Sequence, residues 1–126
     1  MGFKSLEIEI GTILDKYENI PVDVIEKSAR KTARDTVNKL KNTSPRKTGE
    51  YASGWSARKQ GHGYVVFNKK KPGLTQLLEY GHDVYNKLGK VGRAGAHVHI
   101  APVEKEANTE FEENIEREMR RRGLAE

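Results

Sequence analysis

A chain of 126 residues has room for one modest hydrophobic core, and with 35% hydrophobic and 33% charged side chains that core must be thin, leaving much surface for solvent or a partner. The absence of cysteine excludes disulfides, thiolate metal sites and cysteine nucleophiles, while no apolar run, the start at Met1 to Ser5 included, is long enough for a signal-peptide core or a bilayer span, so cytoplasmic synthesis without membrane contact is expected. The net charge of +5 is uneven: residues 1–40 carry seven basic and seven acidic side chains, 41–100 eleven and three, and 101–126 five and eight, giving 0, +8 and −3, so the positive middle could meet nucleic acid, an acidic neighbouring subunit or the chain's own acidic end.

In chain order, Leu6-Glu7-Ile8-Glu9-Ile10 alternates with the period of a half-buried strand, and Ile13, Leu14 and Tyr17 then fall at helical spacing. Pro21 suits the first turn of a helix, and Ile25, Ala29, Ala33, Val37 and Leu40 form a stripe predicting that helix from about 21 to about 42, ending before Pro45. Tyr51 to Lys59 and Tyr64 to Asn68 read as two strands joined at Gln60-Gly61-His62-Gly63. Leu74, Leu77 and Leu78 predict a short helix at about 73–80, stopped by Gly81. Asp83 to Ala96 has three glycines and no periodicity, and reads as an exposed, mobile loop that orders on assembly. His97 to Ile100 reads as a short strand. After Pro102, Val103, Ala107, Phe111, Ile115 and Met119 repeat the stripe of the first helix over about 102–122, with acidic residues early, Arg120 to Arg122 late and Gly123 as a stop.

The most distinctive segment is Ser44-Pro45-Arg46-Lys47-Thr48-Gly49-Glu50-Tyr51-Ala52-Ser53-Gly54-Trp55. Pro45 closes the helix, Gly49 supplies a backbone conformation few residues reach, and Trp55 is the largest apolar body available to anchor a strand. Further on come Leu78-Glu79-Tyr80-Gly81-His82 and, past the glycine-rich loop, His99-Ile100-Ala101-Pro102. In their order and spacing these segments resemble the tail-component family of tailed phages and prophages, over roughly residues 22–118. The resemblance implies structural roles for Pro45, Thr48, Gly49, Trp55, Leu78, Glu79, Tyr80, Gly81, His82, His99, Ile100 and Pro102, with Gly81-His82 capping a helix and His99 packing under the loop. Val98 departs from it, since the family commonly has proline there.

Two pairs have metal-ligand spacing: His97 with His99, which would share a face on a strand, and Glu79 with His82. Neither supplies the three converging ligands of a catalytic zinc site, and the basic region holds only Glu50, Glu79 and Asp83 for a nuclease. No nucleophile elbow, P-loop or dinucleotide fingerprint is present. No enzyme activity, metal, cofactor or small-molecule substrate is expected.

Lys69, Lys70, Lys71, Lys87, Lys90 and Arg93, with Arg46, Lys47, Arg58 and Lys59, are the remaining constellation, interleaved with Tyr64, Phe67, Tyr80 and Tyr85 as in single-strand binders. The alternative is a solvated sheet rim guarded by lysines, or contacts to a partner. The expected fold is α+β in one domain: a small antiparallel sheet of three to four strands packed against the two long helices. By resemblance, the expected function is head-to-tail joining or tail completion in the virion, as a homo-oligomeric ring that contacts the connector, tail tube or terminator and passes DNA without reading it. The competing expectation is a basic nucleic-acid-binding accessory protein.

Overall fold

Apolar residues four apart, with alanines between larger side chains, give two helices that can approach closely, and these organise the fold. The computed structural model describes residues 5–124, without the side chains of Leu14 and Asp15; residues 1–4, read above for a leader, and 125–126 lie outside it. Helix α1, Val22–Thr43, and helix α4, Ile100–Arg121, bury the expected stripes, Ile25, Ala29, Ala33 and Leu40 from one and Val103, Ala107, Phe111 and Ile115 from the other. They run antiparallel, because residues paired across them descend one helix as they climb the other: Asp23 with Arg122, Lys27 with Glu118, Thr32 with Asn114 and Lys39 with Glu106.

Beneath the helices lies a three-stranded antiparallel sheet in the order β1 (Ile8–Ile10), β3 (Gly63–Asn68), β2 (Trp55–Gln60). Pairing of Ile8 and Ala57 with Val66, and of Ile10 with Tyr64, sets one face toward the helices. Lys59 ends that face and pairs with Glu26 of α1 at 3.1 Å. On the opposite face the Arg58 guanidinium lies 4.8 Å from the centre of the Phe67 ring and pairs with Glu7, so the basic residue serves as an apolar cover. A 3-10 turn, Leu14–Tyr17, follows β1 and sets Tyr17 edge-on to Phe111 at 5.4 Å.

Gly63 is where β1 ends against β3. A Cβ there would collide with the Ile10 carbonyl oxygen, which is backbone and cannot swing aside. Gly63→Ala should therefore pry β1 from the sheet and cost about 1–3 kcal/mol, the usual range for forced overpacking. Urea unfolding checks this, with Gly73→Ala as the comparison, a glycine at φ −67° that has open space around it.

Three expectations from sequence are corrected. The strand placed at Tyr51 to Lys59 begins only at Trp55, because Glu50–Ser53 forms a helical turn, α2, entered from Gly49 at φ 82°. The loop placed at Asp83 to Ala96 is a β-hairpin of β4, His82–Asn86, and β5, Gly89–Ala94, closed where the Asn86 side chain accepts the Leu88 N–H. A bulge between Val84 and Tyr85 breaks its alternation. The strand placed at His97 to Ile100 is irregular chain entering α4, so Pro102 lies in the helix's first turn, where its missing N–H is no loss.

Candidate functional site

Buried polar chemistry concentrates where the sequence motifs meet, at the amino-terminal end of α4. The first four backbone positions of a helix have no internal acceptor for their N–H groups. Here the Glu79 carboxylate, projecting from the short helix α3 (Leu74–Tyr80), accepts from His99, Ile100 and Ala101 at 2.8, 2.8 and 2.9 Å. The fourth position is Pro102, which has no N–H. One carboxylate and one proline thus close the helix end, and the negative charge also suits the helix dipole. Burial alone would raise the Glu79 carboxyl; the three backbone donors and His99 more than offset it and hold it below its ordinary value.

His99 links this cap to the Pro45–Trp55 segment. Its Nδ1 lies 2.6 Å from the His97 carbonyl oxygen and 3.1 Å from Glu79, two acceptors, so Nδ1 carries the hydrogen. Nε2 is then free to accept from the Tyr51 hydroxyl at 2.7 Å. Burial, reinforced by the Glu79 charge, raises the Tyr51 phenol, which stays protonated as that bond requires. Tyr51 also stacks edge-on with Trp55, whose indole N–H donates to Ser44 Oγ at 2.8 Å where α1 ends. Asn68 completes the join, donating to the Tyr51 carbonyl and accepting the Lys71 N–H, both at 2.8 Å.

Glu79, His99 and Tyr51 therefore look like an acid-base relay, yet all three are at most 6% exposed and their polar atoms are engaged with one another and with backbone. The arrangement fixes α2, α3 and α4 relative to one another. The proposed ligand pairs separate: His82 opens β4 opposite Ala94, His97 is exposed, and His99 is buried. Among the described residues no cluster of three or more His, Asp or Glu side chains could hold a metal ion.

The other motif residues hold the frame. Pro45 follows the end of α1, and Thr48 Oγ accepts the Glu50 N–H as the chain enters α2. Leu78 packs on the core while its carbonyl accepts the His97 N–H, and Ile100 is buried. Gly81 ends α3 at φ 75° and ψ 176°, a region open to glycine alone, and a Cβ there would stand 2.6 Å from the Ala94 carbonyl oxygen. Tyr80 is exposed, and its carbonyl accepts from Arg93.

The basic constellation is divided. Lys69, Lys70 and Lys71 leave β3 beside α2, where Lys70 donates to Ser53 and Lys71 pairs with Glu50. Lys87, Lys90 and Arg93 ride on the β4–β5 hairpin, with Lys90 and Arg93 both within 3.4 Å of Asp83. That hairpin also exposes Val84, Tyr85, Val91 and, at its tip, Leu88 at 96%.

A family model described as "Bacteriophage HK97-gp10, putative tail-component" matches residues 9–81, more than half of the chain. The chain belongs to this HK97-gp10-like family. The match runs from β1 to the glycine ending α3, so it starts and stops earlier than the span over which the motifs were read. It takes in Pro45, Thr48, Gly49, Trp55 and the Leu78–Gly81 motif, and leaves the hairpin and α4 outside. No curated protein and no solved structure matches the chain. As a phage tail component of the HK97-gp10-like family, it is a structural protein that meets other phage structural proteins in the virion. No helix among the described residues is long and apolar enough to cross a membrane.

A second electrostatic cluster, missed in the sequence, closes the opposite end of the helix pair. Glu118 accepts from Arg121, Arg122 and Lys27, and Arg122 reaches across to Asp23 at the start of α1. The Arg121 hydrogen bond, then those of Arg122 and Lys27, hold the Glu118 carboxyl at about 2, against an ordinary 4.5. Because the folded carboxyl is the stronger acid, its stabilisation is whole above about 4.5 and is lost as pH falls toward 2. Glu118→Gln should flatten the pH dependence of unfolding in that window, as denaturant titrations at successive pH values would show.

Proposed function

We propose that this protein acts at the junction between phage head and tail, in tail completion or head-to-tail joining, as a ring of identical copies held by protein contacts rather than by turnover of a substrate. The observation that carries this reading is the division of labour in the fold. The buried Glu79, His99 and Tyr51 spend their polar atoms on bracing α2, α3 and α4, whereas Val84, Tyr85, Leu88 and Val91 stand exposed on a hairpin. Membership of a tail-component family supports the same reading. Charge supports it too, since a chain with +8 in its middle and −3 at its end offers complementary surfaces to neighbours in sequence around a ring. Lysines of Lys69–Lys71 facing a central passage would contact phosphates without selecting sequence.

Electron microscopy of particles made without this gene tests the reading. Filled heads beside detached or unfinished tails, corrected by supplying the gene in trans, are expected. Normally tailed particles would refute it, and salt-sensitive retention of the pure protein on DNA without any ring would favour the nucleic-acid-binding alternative.

A further inference from the structure

A two-stranded ribbon is marginal in water by itself, and the β4–β5 hairpin leaves both its faces largely exposed. Its root is held firmly: Arg93 donates to the Tyr80 carbonyl, and the Gly81 backbone lies against Ala94 and Gly95. Its tip carries an almost fully exposed Leu88 between Lys87 and Lys90. A tip of this kind fits a recess that exposes an apolar side chain beside an acidic rim.

The same chain has such a recess. Between β1, the 3-10 turn and α4 runs an open, largely polar groove in which Ile13 is the exposed apolar side chain, with Glu9 and Glu104 at its edge and Lys16 as the one cation among its described residues. The Tyr17–Phe111 edge contact ties the 3-10 turn to α4 on one side of the groove, and irregular chain from Gly11 to Ile13 borders the other. Ile13 stands 55% exposed there, an apolar surface lacking a cover.

We infer that the β4–β5 hairpin of one copy docks, Leu88 first, into the Glu9–Glu104 groove of the next copy. Arm and groove are different patches of one surface, so the contact is head-to-tail and propagates from copy to copy until a ring closes. Lys87 and Lys90 meet the acidic rim, which speeds encounter and fixes direction, while Leu88 covers Ile13. This deepens the ring proposed above and rests on it for its biological setting, although the contact itself is a property of the pure protein.

The natural absence of cysteine makes the test clean. Chains carrying Leu88→Cys are mixed with chains carrying Ile13→Cys, both as concentrated pure protein and within particles, and treated with a short bismaleimide. A covalent dimer is expected from the mixture, and none from Leu88→Cys paired with Asn42→Cys on the exposed side of α1. Adding Lys87→Glu and Lys90→Glu to the first chain should lower the yield at least about tenfold, and Glu9→Lys with Glu104→Lys on the second should restore it. No dimer in either setting, or capture of Leu88→Cys by a different virion protein, overturns the inference. If particles contain the chain yet give no dimer, the arm-in-groove contact is wrong while the junction role stands. If the pure protein gives the dimer but particles lack the chain, the contact stands and the junction role fails.

Discussion

Glu79→Ala should lower the unfolding free energy by about 3–5 kcal/mol, a large share of what holds a domain of this size together. The substitution removes the acceptor for three backbone N–H groups at once and leaves those of the buried His99 and Ile100 with no replacement. It also removes the partner that helps orient His99, and through His99 the anchor of Tyr51. Glu79→Gln should be milder, since its amide oxygen still accepts while its NH2 faces donors. The effect should depend on pH in a stated direction. The folded carboxyl is held below its ordinary 4.5, so its contribution is complete above that value and disappears as pH falls through the folded one. Urea titrations of parent and Glu79→Gln should therefore differ most near neutrality and converge under acid, and a gap that widened on acidification would contradict this account of the cap.

Trp55→Ala should cost about as much, about 3–5 kcal/mol, by a different route. Trp55 is 2% exposed, and losing it opens a cavity between the sheet and the end of α1. Its removal also strands the Ser44 hydroxyl and takes away one edge contact of Tyr51. Trp55→Phe separates the two contributions: it keeps most of the apolar body and loses the indole N–H, so a cost of about 1–2 kcal/mol is expected, near that of one buried hydrogen bond plus a small void. Denaturant unfolding of both variants is the measurement. A Trp55→Phe as damaging as Trp55→Ala would show that the Ser44 bond, not packing, dominates.

These two residues mark the boundary of what could be read in advance. The long helices were legible because their apolar stripes persist over five turns, and Ile25 to Leu40 and Val103 to Ile115 are buried as the spacing required. The β2–β3 hairpin was legible because Gly61 and Gly63 bracket a tight turn between two runs of strand-forming residues. The β4–β5 hairpin was not, since neither face is buried, and a bulge at Val84 and Tyr85 removes the alternation that burial would have imposed.

Within the site, Glu79 and Trp55 stood out by resemblance, but their partners did not. The acceptor role of Glu79 spans about twenty residues of chain and joins groups that no local pattern connects. Tyr51 read as a strand residue, although Gly49 turns it into a helical turn and delivers its hydroxyl to His99. Asn68 carried no signal beyond a polar side chain at the end of an apolar run, where burial would have been the clue. On α1, Ser28, Thr32 and Thr36 lie outside the apolar stripe, yet they are buried, and Thr32 accepts from Asn114 of α4. Small hydroxyl residues allow the close helix approach that the alanines begin, a role that hydrophobicity alone does not reveal.

The most direct measurement is immunogold labelling of intact virions that carry an epitope tag after Glu126. A single cluster of label where the tail meets the head is the predicted result. Label spread along the tail tube, or tagged protein missing from infectious particles, would contradict the assignment.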